Sequence, residues 1–506
     1  MSFPGWPKRH PQNNRADHDQ DSQFIRAGDR PPEVRPVGRA AALSSIAQWP
    51  TLAGPAVPDA TRLHVRPARV PLAGAGHPDT LMWTYGGTMP GPVRRVRQGV
   101  PFQAVVENGL AEDTTVHWHG IRLPNAMDGV PGLTQPPIRP GGQFTYAFTP
   151  QDAGTFWYHP HANGLEQIGR GLAGVLIVEE AEPPPFDREL VWALSDWQLT
   201  EDAQIAPGFG SRMSAMMAGR IGNVVTINGR IPDRVAVRAG ERVRLRLANM
   251  NVARTMALRF EGHRPVVVAY DGQPCDSHEP PDDRILLGAA MRADIVLDMQ
   301  GDSGRRYRVT DDFYGDRMTY TLVELEYDAG VPVRKHPSDA PVRLPRNPLP
   351  EPDLATAERH EMALQGGGMS SMGMGSGGTM GGGMMRGGMG MSRGGALWAI
   401  NGASMTGDSP DGMPPMLTLT RGRTTRLVFR NETAWWHPMH LHGHSFKVLA
   451  RDGSPVPHQV WGDTVLVAPR EVVEVAFVAD NPGDWMLHCH AMDHQTAGLM
   501  TVLRVA

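Results

Sequence analysis

The stretch TYGGTMPGPVRRVRQGVPFQAVVENGL, residues 84–110, contains the pattern on which most of this chain is built. A glycine-rich turn leads to a proline, and two short runs of alternating apolar and polar residues follow, separated by a glycine. Such runs, bounded by Gly, Pro and Asn, are typical of strands in β-sandwiches. The same order of features returns at 226–250 and at 399–433. We therefore predict three consecutive sandwiches of one type.

The overall composition agrees with an all-β protein of 506 residues. The chain has 58 Gly and 46 Pro, and apolar runs such as 101–107, 171–178 and 471–478 have the length of strands. A net charge of −4 does not point to a nucleic-acid partner or an anionic membrane, since either would favour a basic face. No apolar stretch approaches the ~20 residues that a membrane span needs. Two cysteines, Cys275 and Cys489, could form one bridge but not a disulfide framework.

The first 45 residues are polar and proline-rich, and we expect them to be disordered. They lack the apolar core of a secretory signal, so either the chain is cytoplasmic or a signal has been removed.

A methionine-rich segment at 366–395 interrupts the third predicted sandwich. Fifteen of its residues are Gly and eight are Met, which predicts a flexible insert without a core. Thioethers are soft ligands that select Cu(I), so the segment could bind cuprous ions, although an inert glycine-rich loop is the alternative. The eight candidate ligands are Met369, Met372, Met374, Met380, Met384, Met385, Met389 and Met391.

Four histidine motifs indicate metal chemistry. They are His117-Trp-His119, His159-Pro-His161, His437-Pro-Met-His440-Leu-His442-Gly-His444, and His488-Cys489-His490 followed by His494. On a strand, residues i and i+2 point to the same side, so an H-x-H pair can present two imidazoles to adjacent metals. A single pair is usually a satisfied polar pair, and zinc is the alternative metal. Four pairs, one of them straddling a cysteine, favour copper, because two imidazoles and a thiolate form the trigonal set of a blue-copper site.

In these motifs the chain resembles the multicopper oxidases, a family that includes laccases, bacterial cuprous oxidases and ascorbate oxidase. The resemblance runs from about residue 50 to residue 506, with the motifs in family order. It implies three cupredoxin-like Greek-key β-sandwich domains, the third of which carries the methionine-rich insert. The expected domains are 46–182, 183–336 and 355–506, with a linker at 337–354.

The resemblance also implies four copper ions and their ligands. The type 1 copper would be held by His437, Cys489 and His494. The type 2 copper would be held by His117 and His440. The two type 3 coppers would be held by His119, His159 and His490 and by His161, His442 and His488. His444 is expected to lie beside the cluster without binding.

Several positions of this sequence either depart from the family pattern or allow a second interpretation. The axial position of the type 1 site is Leu499, which is expected not to coordinate, and a bulge that brings Met500 there is the rival. Asp128 matches a family carboxylate that relays protons, although a turn aspartate is the alternative. Gln495 stands where relatives often have a second acid, so a water chain or another acid is implied. Trp435 and its neighbour Trp436 could line a site for organic reductants or simply pack.

The resemblance implies a laccase-like oxidase. Its single-electron donors would be phenols, aromatic amines and Cu(I), and O2 would be reduced to water, with Cys489, His488 and His490 carrying the electrons. The alternatives are a dedicated cuprous oxidase for copper tolerance and, in another class, a copper-storage protein without turnover. By resemblance we expect a periplasmic or secreted protein and a monomer.

Overall fold

Short strands make up most of the regular structure of this protein, in a computed structural model that describes residues 61–334, 342–367, 396–407, 410 and 412–506. The N-terminal segment predicted to be disordered and the eight methionines of the predicted insert lie outside these residues. Within the described ranges, no helix is long and apolar enough to cross a membrane.

The first third of the chain forms two four-stranded sheets, ordered β2-β1-β4-β6 and β3-β8-β7-β5. A 3-10 turn (Asn125–Met127) and helix α1 (Gly164–Gly169) interrupt the strands. The strands are β1 (Thr61–Val70), β2 (Thr80–Tyr85), β3 (Gly91–Arg97), β4 (Phe102–Asn108), β5 (His117–His119), β6 (Gln143–Phe148), β7 (Gly154–His159) and β8 (Gly174–Glu179).

The middle third forms a six-stranded sheet, β10-β9-β12-β17-β14-β15, and a five-stranded sheet, β11-β19-β18-β13-β16. A short helix α2 (Arg212–Met216) and a 3-10 turn (Pro281–Asp283) lie between strands. The strands are β9 (Arg188–Trp197), β10 (Val224–Ile227), β11 (Arg234–Val237), β12 (Arg242–Asn249), β13 (Met256–Phe260), β14 (Val266–Tyr270), β15 (Gln273–His278), β16 (Ile285–Leu287), β17 (Arg292–Asp298), β18 (Arg306–Asp311) and β19 (Tyr320–Tyr327).

The last third forms the sheet β21-β20-β23-β29-β25-β26, with β27 beside β25, and the sheet β22-β31-β30-β24-β28. Helix α3 (Met492–Thr496) precedes the final strand. The strands are β20 (Glu358–Gly366), β21 (Trp398–Ile400), β22 (Leu417–Leu419), β23 (Thr424–Asn431), β24 (His437–Leu441), β25 (Phe446–Arg451), β26 (Ser454–Pro455), β27 (Trp461–Gly462), β28 (Thr464–Val467), β29 (Val472–Val478), β30 (Gly483–Cys489) and β31 (Met500–Val505).

The same strand pairing occurs three times. The first strand of each third (β1, β9, β20) pairs antiparallel with the next strand and parallel with the strand two further on (β4, β12, β23). The partner sheets each contain a second parallel pair: β3 with β8, β11 with β19, and β22 with β31. Because the repeated sequence pattern covers the corresponding strands in each third, this topology confirms the prediction of an all-β chain built from three similar sandwiches. The numbered domain boundaries stay predictions.

A shared apolar core joins the first and last thirds of the chain. One buried cluster includes Trp118 and Phe156 from the first third together with Trp485 and Leu487 from the last. Burial of four side chains of this size favours the contact by several kcal/mol, at about 1.5–3 kcal/mol for each large apolar side chain. The packing brings strands β5 and β7 beside strands β24 and β30, which carry the histidine motifs.

Candidate metal centre

The strand register places the histidines of different motifs opposite one another. In the antiparallel pair β5–β7, His117 faces His159, and in the pair β24–β30, His440 faces His488. Side chains alternate along a strand, so each H-x-H pair projects both rings to one face. The shared core between the first and last thirds then brings these faces together. All eight imidazoles of the H-x-H pairs are buried.

The same alternation sends Cys489 to the opposite side of strand β30 from its two neighbours. Its partner across the ladder is Met439, which lies two residues from His437 and therefore on the same side of strand β24. His494 reaches this side from helix α3. The thiol and the eight-histidine cluster thus lie on opposite faces of one strand and are joined through its backbone.

The thiol centre consists of Cys489, His437 and His494. The Cys489 Sγ lies 3.6 Å from His437 Nδ1 and 3.8 Å from His494 Nδ1, and the two nitrogens are 3.3 Å apart. A point about 2.1 Å from all three atoms exists, which is close to the usual length of bonds from imidazole nitrogen and thiolate sulfur to a transition metal. The arrangement therefore fits a trigonal copper site.

The imidazole cluster contains two similar triads. In the first, His159 Nε2 lies 3.4 Å from both His119 Nδ1 and His490 Nε2. In the second, His442 Nε2 lies 3.1 Å from His488 Nε2, and His161 completes a group whose donor atoms are all within 4.8 Å of one another. A further group of the same kind joins His117, His119 and His440.

Several buried ring nitrogens have no partner among the described residues. In the cluster they are Nε2 of His117, Nε2 of His440, Nδ1 of His490 and both nitrogens of His161. An unpaired buried polar atom costs about 1–3 kcal/mol, so five of them in one cluster are unfavourable unless a ligand binds there. A neutral imidazole has one nitrogen lone pair, so a metal cation can satisfy Nε2 of His117, Nε2 of His440 and one nitrogen of His161, and this is the observation that fits the cluster to bound copper.

Hydrogen bonds on the outer edge of the cluster fix which nitrogen each ring offers. His117 Nδ1 lies 2.7 Å from the carbonyl of Asp128, and His442 Nδ1 lies 2.8 Å from the Asp128 carboxylate. His159 and His488 use Nδ1 in the same way toward main-chain carbonyls. Such contacts select the tautomer whose other nitrogen binds a metal. Asp128, predicted as a proton relay, is buried. It contacts His117, a predicted type 2 ligand, and His442, a predicted type 3 ligand.

Burial determines the protonation of these rings. It is the largest cause of the low pKa values of His119, His159 and His437, and the neighbouring rings lower them further. The rings are therefore neutral, with lone pairs available to a metal. Burial also raises the pKa of the Cys489 thiol, so in the metal-free protein the sulfur keeps its proton. A metal ion is what would convert it to the thiolate.

A second buried carboxylate was not identified from the sequence. Asp463, between strands β27 and β28, has Oδ1 3.0 Å from His119 Nε2 and 3.2 Å from His440 Nδ1. The guanidinium of Arg292, from strand β17, holds this carboxylate with two hydrogen bonds of 2.9 and 2.5 Å. No local motif marks Asp463, which is separated from His119 by 344 residues. The sequence contains only an indirect signal for Asp463. Because Gln495 stands where relatives often have an acid, a water chain or another acid near the cluster is expected.

Leu499 and Met500, the two candidates for the axial position, pack in different apolar clusters. Leu499 is fully buried in the apolar cluster that includes Cys489, and its carbonyl accepts a hydrogen bond from the Cys489 amide. Met500 packs instead in a separate cluster with Val130 and Met486. The assignment of Leu499 as the non-coordinating axial residue stays a prediction.

The other positions singled out in the sequence have these surroundings. Gln495 is buried, and its side-chain amide has no partner among the described residues. His444 is buried with Nδ1 3.2 Å from the carbonyl of His442. Trp435 is half-buried against the shared core, and Trp436 packs on Phe313. Both cysteines are free thiols.

Comparison with known proteins agrees with this geometry. Three family models described as multicopper oxidase match residues 68–183, 188–324 and 391–506. The multicopper oxidase MmcO of Mycobacterium tuberculosis is 31% identical over 87% of this chain and 85% of its own length. Laccase-1 of Fomitopsis schrenkii is 30% identical over 83% of this chain and 82% of its own length.

A solved structure has the same fold. The multi-copper oxidase from Pseudomonas thermotolerans is 35% identical, with a TM-score of 0.77 over 89% of this chain and 100% of that chain. Other matched proteins are named iron transport multicopper oxidases, from fungi, and a metallo-oxidase, from Campylobacter jejuni.

Proposed function

This chain belongs to the multicopper oxidase family, and we propose that it is a laccase-like oxidase that takes single electrons from phenols, aromatic amines and Cu(I) and reduces O2 to water. The observation that carries the proposal is the position of Cys489. Its sulfur is part of a trigonal donor set, while the residues bonded to it on either side, His488 and His490, are part of the two imidazole triads. A protein that only stores copper has no need of this connection.

The geometry favours four copper ions in the positions that the sequence predicts. A type 1 ion would be held by His437, Cys489 and His494. A type 2 ion would be held by His117 and His440. Two type 3 ions would be held by His119, His159 and His490 and by His161, His442 and His488. Bound copper supplies one-electron acceptance at the first site and reduction of O2 at the other three.

The protein contributes orientation, exclusion of water and protons. Buried aromatic side chains such as Trp157, which stacks on His159 at 4.1 Å, separate the imidazoles from solvent. The carboxylate of Asp128 lies 2.8 Å from His442 Nδ1 and 3.3 Å from His117 Nδ1, so it can hold a proton beside either ring. Reduction of O2 to water consumes protons, and a positioned carboxylate is a suitable donor.

The identity of the physiological reductant is part of the proposal. The relative named Laccase-1 supports organic donors, whereas the metallo-oxidase supports metal ions. A dedicated cuprous oxidase for copper tolerance is the second candidate, which the similarity to the metallo-oxidase favours. We further propose a periplasmic or secreted location, as for the family.

The test is O2 consumption by the copper-loaded protein with 2,6-dimethoxyphenol and, separately, with Cu(I). We expect four electrons from the donor for each O2, without release of peroxide. Cys489→Ser should abolish the blue absorption and reduce turnover to background. The matched control is Cys275→Ser, because Cys275 is the other free thiol and belongs to none of the proposed copper sites. Copper binding without O2 uptake by the parent protein would instead support storage.

A further inference from the structure

The indole of Trp398 packs against both imidazoles of the thiol centre. Trp398 begins strand β21 and is buried. Its ring centroid is 4.3 Å from that of His494, at an interplanar angle of 39°, and 5.0 Å from that of His437, at 79°. The two imidazole centroids are themselves 5.0 Å apart. Each of the three rings therefore contacts the other two.

Hydrogen bonds to the outer nitrogens fix only part of the orientation of these imidazoles. Nε2 of His437 lies 2.8 Å from the hydroxyl of Thr433, and Nε2 of His494 lies 2.6 Å from the carbonyl of Met217. These contacts direct Nδ1 of each ring toward the thiol. A ring held at one nitrogen can still rotate about the axis of that hydrogen bond. A second group packed on the ring is needed to prevent this rotation, and Trp398 is such a group.

Trp398 is itself held by contacts that do not involve the imidazoles. Its Nε1 donates a hydrogen bond to the carbonyl of Ala215, in helix α2 of the middle third, at 2.6 Å. Its main-chain amide donates to the carbonyl of Ala497 at 3.1 Å. At the benzene end of the indole, a Cβ at Gly367, where φ is +81°, would lie 2.6 Å from Cη2 of the ring. The indole is therefore fixed independently of the two rings on which it packs.

We propose that Trp398 is a positioning residue of the type 1 site, which keeps Nδ1 of His437 and Nδ1 of His494 in the trigonal arrangement with the thiol sulfur. The inference rests on the proposed function and concerns the geometry of its electron-entry site. It also gives the middle third a part in that geometry, because the carbonyl of Ala215 holds the indole although this third supplies none of the proposed copper ligands.

The restraint has a redox consequence. Cu(II) bound by nitrogen favours square-planar or tetragonal coordination, whereas two imidazoles and a thiolate in a trigonal set form a blue-copper site. Once the imidazoles can tilt, the site can relax toward a tetragonal arrangement, which stabilises Cu(II) relative to Cu(I). Loss of the indole should therefore lower the type 1 reduction potential and increase the copper hyperfine splitting in the EPR spectrum. It should also weaken the site, since loss of a group that orients a metal ligand costs about 10–100-fold in metal affinity.

The experiment compares the full-length copper-loaded protein with Trp398→Leu and with the milder Trp398→Phe. Leucine removes both the aromatic ring and the hydrogen bond to Ala215, whereas phenylalanine removes the hydrogen bond and leaves a smaller ring. The matched control is Trp192→Leu, which removes a similarly buried indole that stacks on Phe260 in the core of the middle third. Urea unfolding of the metal-free proteins measures how much stability each variant loses.

The readouts are the EPR spectrum, the reduction potential followed at the blue band, and the type 1 copper retained against a chelator. We expect Trp398→Leu to lower the potential, to increase the hyperfine splitting and to reduce the affinity for type 1 copper about tenfold or more. Trp398→Phe should shift the same quantities in the same direction by a smaller amount, and it decides the question if the leucine variant fails to fold. Trp192→Leu should lose stability but keep the type 1 signature of the parent.

A parent-like potential, spectrum and copper retention in the folded Trp398 variants would overturn the proposal. Changes of the same size in Trp192→Leu would also overturn it, because they would follow from lost stability alone. If the parent binds type 1 copper but consumes no O2 with any donor, the proposed function fails, and the same spectra still decide the role of Trp398.

Discussion

Replacement of Arg292 by methionine provides a quantitative test of the interaction that connects the middle third of the chain to the imidazole cluster. The guanidinium is fully buried and holds the carboxylate of Asp463 with two hydrogen bonds, at 2.9 and 2.5 Å. It lies 3.3 Å from the carboxylate of Asp271. It also donates to the carbonyls of Thr155 and Ala290, at 3.2 and 3.1 Å.

The variant leaves buried charge without a partner. Removal of one member of a buried ion pair costs about 3–5 kcal/mol, because the remaining ion is neither paired nor hydrated. Each carbonyl that water does not reach adds about 1–3 kcal/mol. We therefore expect Arg292→Met to lower the free energy of unfolding of the metal-free protein by at least about 3 kcal/mol. With a urea dependence of about 3 kcal/mol/M or more, the unfolding midpoint should fall by about 0.5–1 M.

The assay is urea unfolding followed by tryptophan fluorescence, together with the copper content of the loaded protein. Asp463 orients His119 and His440, so the variant should also bind less copper in the cluster. The matched control is Arg308→Met, which breaks an exposed pair with Glu261 and should leave the midpoint unchanged. A midpoint and a copper content equal to those of the parent would refute the role assigned to Arg292.

Three further predictions concern single side chains. Leu499→Met should lower the type 1 reduction potential, because a thioether would enter the axial position; redox titration at the blue band measures it, and an unchanged potential would contradict the assignment. Asp128→Asn should reduce kcat for O2 reduction about 10²-fold at full copper loading, and parent-like turnover would remove Asp128 from proton delivery. Burial alone would raise the pKa of Asp294, but the guanidinium groups of Arg246 and Arg244 outweigh burial and lower it. Its stabilising effect is therefore present above the ordinary carboxyl pKa of about 4 and is lost as pH falls below that value. Asp294→Asn should destabilise the protein at pH 7 and progressively less toward pH 3, as followed by thermal unfolding; an equal loss at both values would contradict the argument.

The sequence alone was enough to predict the sheets and the histidine motifs. Alternation on a strand is a local property with a period of two, so the runs at 101–107 and 471–478 predicted strands β4 and β29, and each H-x-H pair could be read as two rings on one face. The threefold pattern likewise predicted a topology that repeats three times. Local spacing is visible in sequence because neighbouring residues determine it.

Only the tertiary structure revealed the contacts between distant parts of the chain. Asp463 and His119 are 344 residues apart, and Met217 and His494 are 277 apart. Neither pair leaves a local pattern, since the contact depends on how separate sandwiches pack. Met217 contacts His494 through its main-chain carbonyl. Every residue has this group, so the residue type at position 217 could not have predicted the contact. The donor types were thus determined by sequence, while their surroundings, the Arg292–Asp463 pair and the Met217 carbonyl beside His494, were decided by packing.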